Sequence, residues 1–161
     1  MQTPYVPEID VIIGVAKWLN LNEWQLEKVS PPLGLTDKRK IETELVSYNI
    51  STSTIDFRRA GEDIRARKGN TIWKIECKGL SSGEPETVKN NFDRAVASCV
   101  SYFTKREELR LGLALPDSEE YKKFLRDKLP QALRETIELW VLLYCSKDEV
   151  YEFAPNEVIP H

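Results

Sequence analysis

Asp63, Glu76 and Lys78 are the residues whose types and spacing best suit chemistry. Glu76 and Lys78 lie two apart in TIWKIECK (71–78), and strand alternation puts residues i and i+2 on one face. Cys77 then faces the other way. DIRAR and TIWKIECK flank Lys68-Gly69-Asn70, which reads as a β-hairpin with a glycine-containing turn. Reflection across that turn brings Asp63 level with Glu76, so three charged groups converge where apolar packing is the default. Two carboxylates and the main-chain carbonyl of Cys77 offer hard oxygen ligands for Mg²⁺, with Mn²⁺ as its substitute. Such a metal polarises a phosphoryl oxygen and lowers the pKa of a bound water. Lys78 beside it is placed to orient that water or to stabilise charge building on a phosphate. The bland alternative is a pair of surface salt bridges, Asp63 to Lys78 and Glu76 to a neighbouring arginine.

The stretch GEDIRARKGNTIWKIECKG (61–79) resembles the PD-(D/E)xK nuclease superfamily, the restriction-endonuclease-like fold. Asp63 matches the lone acid and Glu76-Cys77-Lys78 the ExK tripeptide. The flanks resemble it too: an opening helix and first strand before the hairpin, a helix and strand after it. The resemblance implies a metal-dependent nuclease, acting on DNA, with Asp63, Glu76 and Lys78 catalytic. Glu62 stands where proline is typical of the family. Many members carry a further acid on the first helix; Glu8 fits that place, and Glu42 and Glu44 compete for it. Ser98 stands near the position where some relatives carry a glutamine.

Several elements must position these groups. Residues 8–20 place Ile9, Ile12, Ile13, Ala16 and Leu19 at helical spacing, with Pro7 suited to the start. Trp24, Leu26 and Val29 fit a short strand stopped by Pro31-Pro32. In residues 36–48, Ile41, Leu45 and Tyr48 fit a helix capped by Thr36, the reading favoured, while Ile41, Thr43 and Leu45 also fit an alternating strand; 50–60, rich in β-branched types, reads as a strand. Residues 31–57 together look like an insertion ahead of the hairpin. Residues 86–103 form an amphipathic helix whose apolar stripe runs Phe92, Ala95, Val96, Cys99, Val100, Phe103. LRLGLALP (109–116) is a buried strand. A helix follows, capped by Asp117 or Ser118 and interrupted at Pro130. ELWVLLYC (138–145) is a central strand, Ser146 to Glu149 a turn, and VYEF an edge strand. The expected class is α/β, a central mixed sheet flanked by helices, in a single domain spanning 1–161.

Composition narrows the chemistry further. The single histidine, His161, removes most Ser-His, Cys-His and His-metal mechanisms. Cys77, Cys99 and Cys145 are scattered and odd in number, which predicts a reducing cytoplasm rather than a disulfide framework. No apolar run approaches a membrane span, and the first ten residues do not have the pattern of a secretory signal. Net charge is −3, yet residues 54–79 concentrate Arg58, Arg59, Arg65, Arg67, Lys68, Lys74 and Lys78. Arg59, Arg65 and Arg67, with Lys89 and Arg94 on the following helix, are the candidate phosphate contacts. Simple exposure also explains each of them, as plain connection explains Ser81-Ser82-Gly83. Trp18, Trp24, Trp73 and Trp140 read as structural. Two other functions stay open beside a DNA-cutting enzyme. One is an inactive module that binds nucleic acid or a protein. The other is a homodimer, or the nuclease subunit of a defence or mobile-element system.

Overall fold

The computed structural model describes residues 5–105, 108–146 and 149–161. The elements run α1 (Glu8–Leu21), β1 (Gln25–Val29), α2 (Leu35–Ser47), β2 (Ile64–Lys68), β3 (Thr71–Cys77), α3 (Pro85–Ser101), β4 (Leu109–Pro116), α4 (Glu119–Lys128), α5 (Gln131–Ile137), β5 (Leu139–Ser146) and β6 (Glu149–Phe153). The strands form one sheet in chain order. The first three are an antiparallel meander, β4 and β5 join in parallel, and β6 closes the far edge antiparallel. The two parallel connections are each crossed by helix, as parallel pairing requires. This is the expected α/β class with a mixed sheet and helices on both faces. Among the described residues no helix is long and apolar enough to cross a membrane.

Each face of the sheet has its own core. On one, Trp73, Ile75 and Cys77 of β3 pack with Leu26, Ile64, Ala66 and Leu142 against α1 and α2. On the other, Leu111, Leu113, Val141 and Leu143 pack against Val88, Phe92, Ala95 and Cys99 of α3 and Tyr121 and Leu125 of α4. Helix α1 is buried on nearly all sides because α2 lies over its outer face. Its one buried charge, Lys17, reaches Glu44 at 3.2 Å and lies over the Tyr48 ring. Trp73 is fully buried, edge-on to Trp24 and Trp140, and the Arg110 guanidinium lies over all three rings.

Four details depart from the sequence reading. Residues 50–60 are not a strand: Asp56 makes one isolated bridge to Lys28, while Ile50 and Ile55 anchor a loop in the core. Helix α2 is capped two residues earlier than expected, at Gly34 with φ +91°. The Asp37 carboxylate, not Thr36, takes a main-chain N–H there, that of Leu33. On α3 the helix stops at Ser101 and leaves Phe103 half exposed at 50%. Strand β5 is interior but one in from the edge. The Ser146–Glu149 turn falls at residues 147 and 148, outside the described residues. Pro130 and Ser118 behave as expected: the first separates α4 from α5, and the second accepts the Tyr121 N–H.

The approach that matters most for the site is at Gly79. A Cβ there would lie 2.4 Å from the Val6 carbonyl and 2.5 Å from the Glu8 nitrogen. Paired hydrogen bonds between Val6 and Leu80, both 2.8 Å, hold the chain before α1 against the chain after β3. Only glycine lets α1 start there. Gly79→Ala is expected to lower stability by about 1–3 kcal/mol through overpacking, read as a reduced urea midpoint. Gly83→Ala, whose added carbon meets only ordinary 3.7 Å contacts, should leave that midpoint nearly unchanged. Equal midpoints for the two variants would contradict the tight crossing.

Candidate active site

The hairpin has the register its alternation predicts. Ile64 pairs with Ile75, Ala66 with Trp73 and Lys68 with Thr71, and Gly69 at φ +59° opens the two-residue turn. Asp63 lies one residue before β2 and is anchored on both sides of Glu76. Its N–H donates to the Ile75 carbonyl at 3.0 Å, and its Oδ2 accepts the Cys77 N–H at 2.8 Å. Its own carbonyl accepts the Ser30 N–H at 2.7 Å, tying it to the end of β1. Lys28, only 3% exposed, donates to the carbonyls of Ala60 and Glu62 and so pins the turn that delivers Asp63. Burial lowers the Lys28 pKa even though Glu62 and Asp63 oppose that shift.

Glu76 projects to the α3 side of the sheet, opposite to Cys77. Its Oε2 accepts the Tyr102 hydroxyl at 2.5 Å, and that hydroxyl also lies 3.1 Å from the Gly61 carbonyl. Burial, then Glu76 itself, raises the Tyr102 pKa, so the phenol stays a donor. Two residues beyond Glu76, Lys78 pairs with Glu8 at 3.3 Å, a contact that the Gly79 crossing makes possible. Asp63, Glu76, Lys78 and Glu8 are therefore brought together. Among the described residues no ion pair joins Asp63 to Lys78 or Glu76 to an arginine, so the bland salt-bridge alternative does not describe this hairpin.

The two carboxylates are under strain as anions. Burial, then the neighbouring Glu76 charge, pushes Asp63 up from 3.8 to about 8, with the Cys77 N–H opposing. Burial chiefly raises Glu76 as well; the Tyr102 hydroxyl works against it and Glu8 with it. Two facing carboxylates thus share one amide and one phenol as close donors. Cys77 is sealed in the opposite core, and burial lifts its thiol well above the usual range, which leaves only its main chain to the site.

The competing acids are engaged elsewhere: Glu44 holds Lys17, and Glu42 pairs with Lys38. Arg65 and Arg67 share the face of Asp63, as parity predicts, but carboxylates already balance them. Arg65 reaches Glu62 at 2.9 Å and Glu27 at 3.4 Å; Arg67 reaches Glu27 at 3.1 Å. Arg59 is exposed on the turn before Gly61. Lys89 is not at the site: it pairs with Asp93, which also takes Lys128 of α4. Arg94 is exposed on α3, and Ser98 is partly buried one turn before Tyr102. In the 81–83 loop Ser82 and Gly83 are exposed, and the buried Ser81 hydroxyl has no partner among the described residues.

Sequence reasoning missed Tyr102 and Lys28. Tyr102 follows Cys99 by three and Ala95 by seven, so it continues the buried stripe of α3, which Phe103 does not. A bulge at Glu27 puts Lys28 opposite Arg65, on the face of Asp63 and not on that of Leu26. The three-residue gap between Leu26 and Val29 was its visible trace. Among the described residues no three or more His, Cys, Asp or Glu side chains form a ready metal cage. A cation here would rest on two side chains, a main-chain carbonyl and water. Comparison with known protein families, curated proteins and solved structures finds no match.

The raised carboxyl makes stability pH-dependent with a definite sign. The folded protein keeps a proton on Asp63 that the unfolded chain loses near pH 3.8. That contribution is full below pH 3.8 and is lost as pH climbs toward 8. In a chelating buffer the thermal midpoint should fall from pH 5 to pH 8, and Asp63→Asn should flatten the slope and raise the midpoint at pH 8. Parallel curves for the two proteins would contradict the assignment.

Proposed function

We propose that this protein is a metal-dependent phosphodiesterase that cuts nucleic acid, with DNA as the substrate its resemblance favours. The carrying observation is the bracketed pair Asp63 and Glu76, two half-buried carboxylates level across the hairpin with Lys78 next along the strand. Like charges buried together are costly without a counter-charge. A divalent cation supplies one, and an all-oxygen donor set suits Mg²⁺, or Mn²⁺ in its place. The element order around the pair also supports the reading: opening helix, strand, hairpin, helix, and a strand parallel to the second arm.

Asp63, Glu76 and the Cys77 carbonyl would hold the cation, which when bound supplies Lewis acidity toward the phosphate and the attacking water. Tyr102 fixes the orientation of Glu76. Lys78 is placed beside the pair to orient the water and to stabilise charge on the phosphoryl oxygens, and Glu8 holds its ammonium there. The alternative of a binding module without hydrolysis draws on one observation, that Arg65 and Arg67 are already neutralised by Glu27 and Glu62.

Cleavage of labelled DNA in Mg²⁺ or Mn²⁺ decides between them. Wild type should cut, Asp63→Ala should abolish cutting, and Lys78→Ala should lower it by roughly 10²–10³-fold, all with unchanged circular dichroism. Wild-type-like cutting by either variant would end the proposal. Nucleic-acid binding without cutting in either metal would establish the binding module instead.

A further inference from the structure

A cleft of about 420 Å³, lined on β3 by Ile72 and Lys74, opens between the β2–β3 hairpin and the segment that follows α3. Both of its walls lead to the carboxylate pair. Along β3, Ile72 and Lys74 precede Glu76 by four and two residues on the same face, so the floor reaches to roughly 7 Å from Glu76. On the other wall Thr104 comes two residues after Tyr102, whose hydroxyl touches Glu76. Lys74 has no ionic partner among the described residues. Arg67 lies across the strand from Ile72. Phe103, half exposed, stands in the chain between Tyr102 and Thr104.

We propose that this groove binds a single strand of nucleic acid and leads it to Asp63 and Glu76. The inference rests on the nuclease reading of that pair. Lys74 supplies positive charge for a backbone phosphate. Asn70 and Thr104 offer hydrogen-bonding groups, and Ile72 and Leu109 an apolar floor. Phe103 offers a ring on which an unpaired base can stack. A duplex presents phosphates outward and keeps its base faces stacked inside, so it can use Lys74 but neither Phe103 nor the apolar floor. Glu108 at the cleft limits the net positive charge, which makes stacking a larger share of the binding. The mild net charge of the chain is compatible with such a site, because stacking does not depend on a large basic surface.

Fluorescence anisotropy in EDTA, where nothing is cut, reads binding apart from catalysis. The probes are a 20-nucleotide oligothymidylate, an oligouridylate of the same length, and a 20-base-pair duplex. Either single strand should bind more tightly than the duplex, and the tighter of the two identifies DNA or RNA. Lys74→Glu should weaken single-strand binding by roughly tenfold and Phe103→Ala by about fivefold. Lys123→Glu, the same charge change on exposed α4, should not weaken it. Duplex binding as tight as that of both single strands overturns the proposal, as does wild-type affinity in Lys74→Glu and Phe103→Ala. The two failures separate cleanly. If Mn²⁺ gives cutting that neither groove variant affects, the nuclease reading stands and the groove falls. If the strand binds as described but is never cut, the groove stands and the nuclease reading falls.

Discussion

Asp63 reaches past Glu76 on both sides, its N–H on the Ile75 carbonyl and its carboxylate on the Cys77 N–H. That bracket depends on the register of β2 on β3. A slip of one residue would turn Glu76 into the α1 core and Cys77 out of it. The apolar alternation of Trp73, Ile75 and Cys77 forbids the slip, because all three are fully buried. The hydrophobic core thus fixes the electrostatics of the opposite face. The remaining supports converge on the same few ångströms: Lys28 on the turn before Asp63, Tyr102 on Glu76, and the glycine crossing that brings Glu8 to Lys78.

The same arrangement leaves two carboxylates poorly compensated. A protein selected for stability alone would replace one of them with an apolar or amide side chain, since buried like charges oppose folding. Here Lys78 makes its ion pair with Glu8, and its charge only partly offsets the burial of Glu76. Arg65 is likewise held by Glu27 and Glu62. Among the described residues no salt bridge reaches either Asp63 or Glu76. Such an uncompensated pair is consistent with the proposed cation site and differs from a surface salt-bridge cluster.

Much of this was legible in the sequence, for a reason particular to hairpins. Alternation and a two-residue turn convert sequence separation directly into cross-strand position, so the sequence alone places Asp63, Glu76 and Lys78 together. The α/β class followed from helices and strands alternating through the second half. What stayed hidden depended on irregularity or on distance along the chain. The bulge at Glu27 moves Lys28 to the face of Asp63, which regular alternation with Leu26 does not report. The β-branched run at 50–60 has strand propensity but only one bridging partner, and packing of Ile50 and Ile55 holds it as a loop. Tyr102 reaches Glu76 across 26 positions, and no local pattern reports such a contact. The choice of Glu8 over Glu42 and Glu44 needed the packing of α2 on α1, which commits Glu44 to Lys17.

The central claim is that Asp63 and Glu76 form a cation site, and the most direct measurement is anomalous diffraction from crystals soaked in Mn²⁺. The account predicts a manganese peak between the two carboxylates, within bonding distance of both and of the Cys77 carbonyl, and no such peak in Asp63→Asn crystals. Fully soaked wild-type crystals with manganese elsewhere, or with Asp63 and Glu76 unmoved and unliganded, would contradict it.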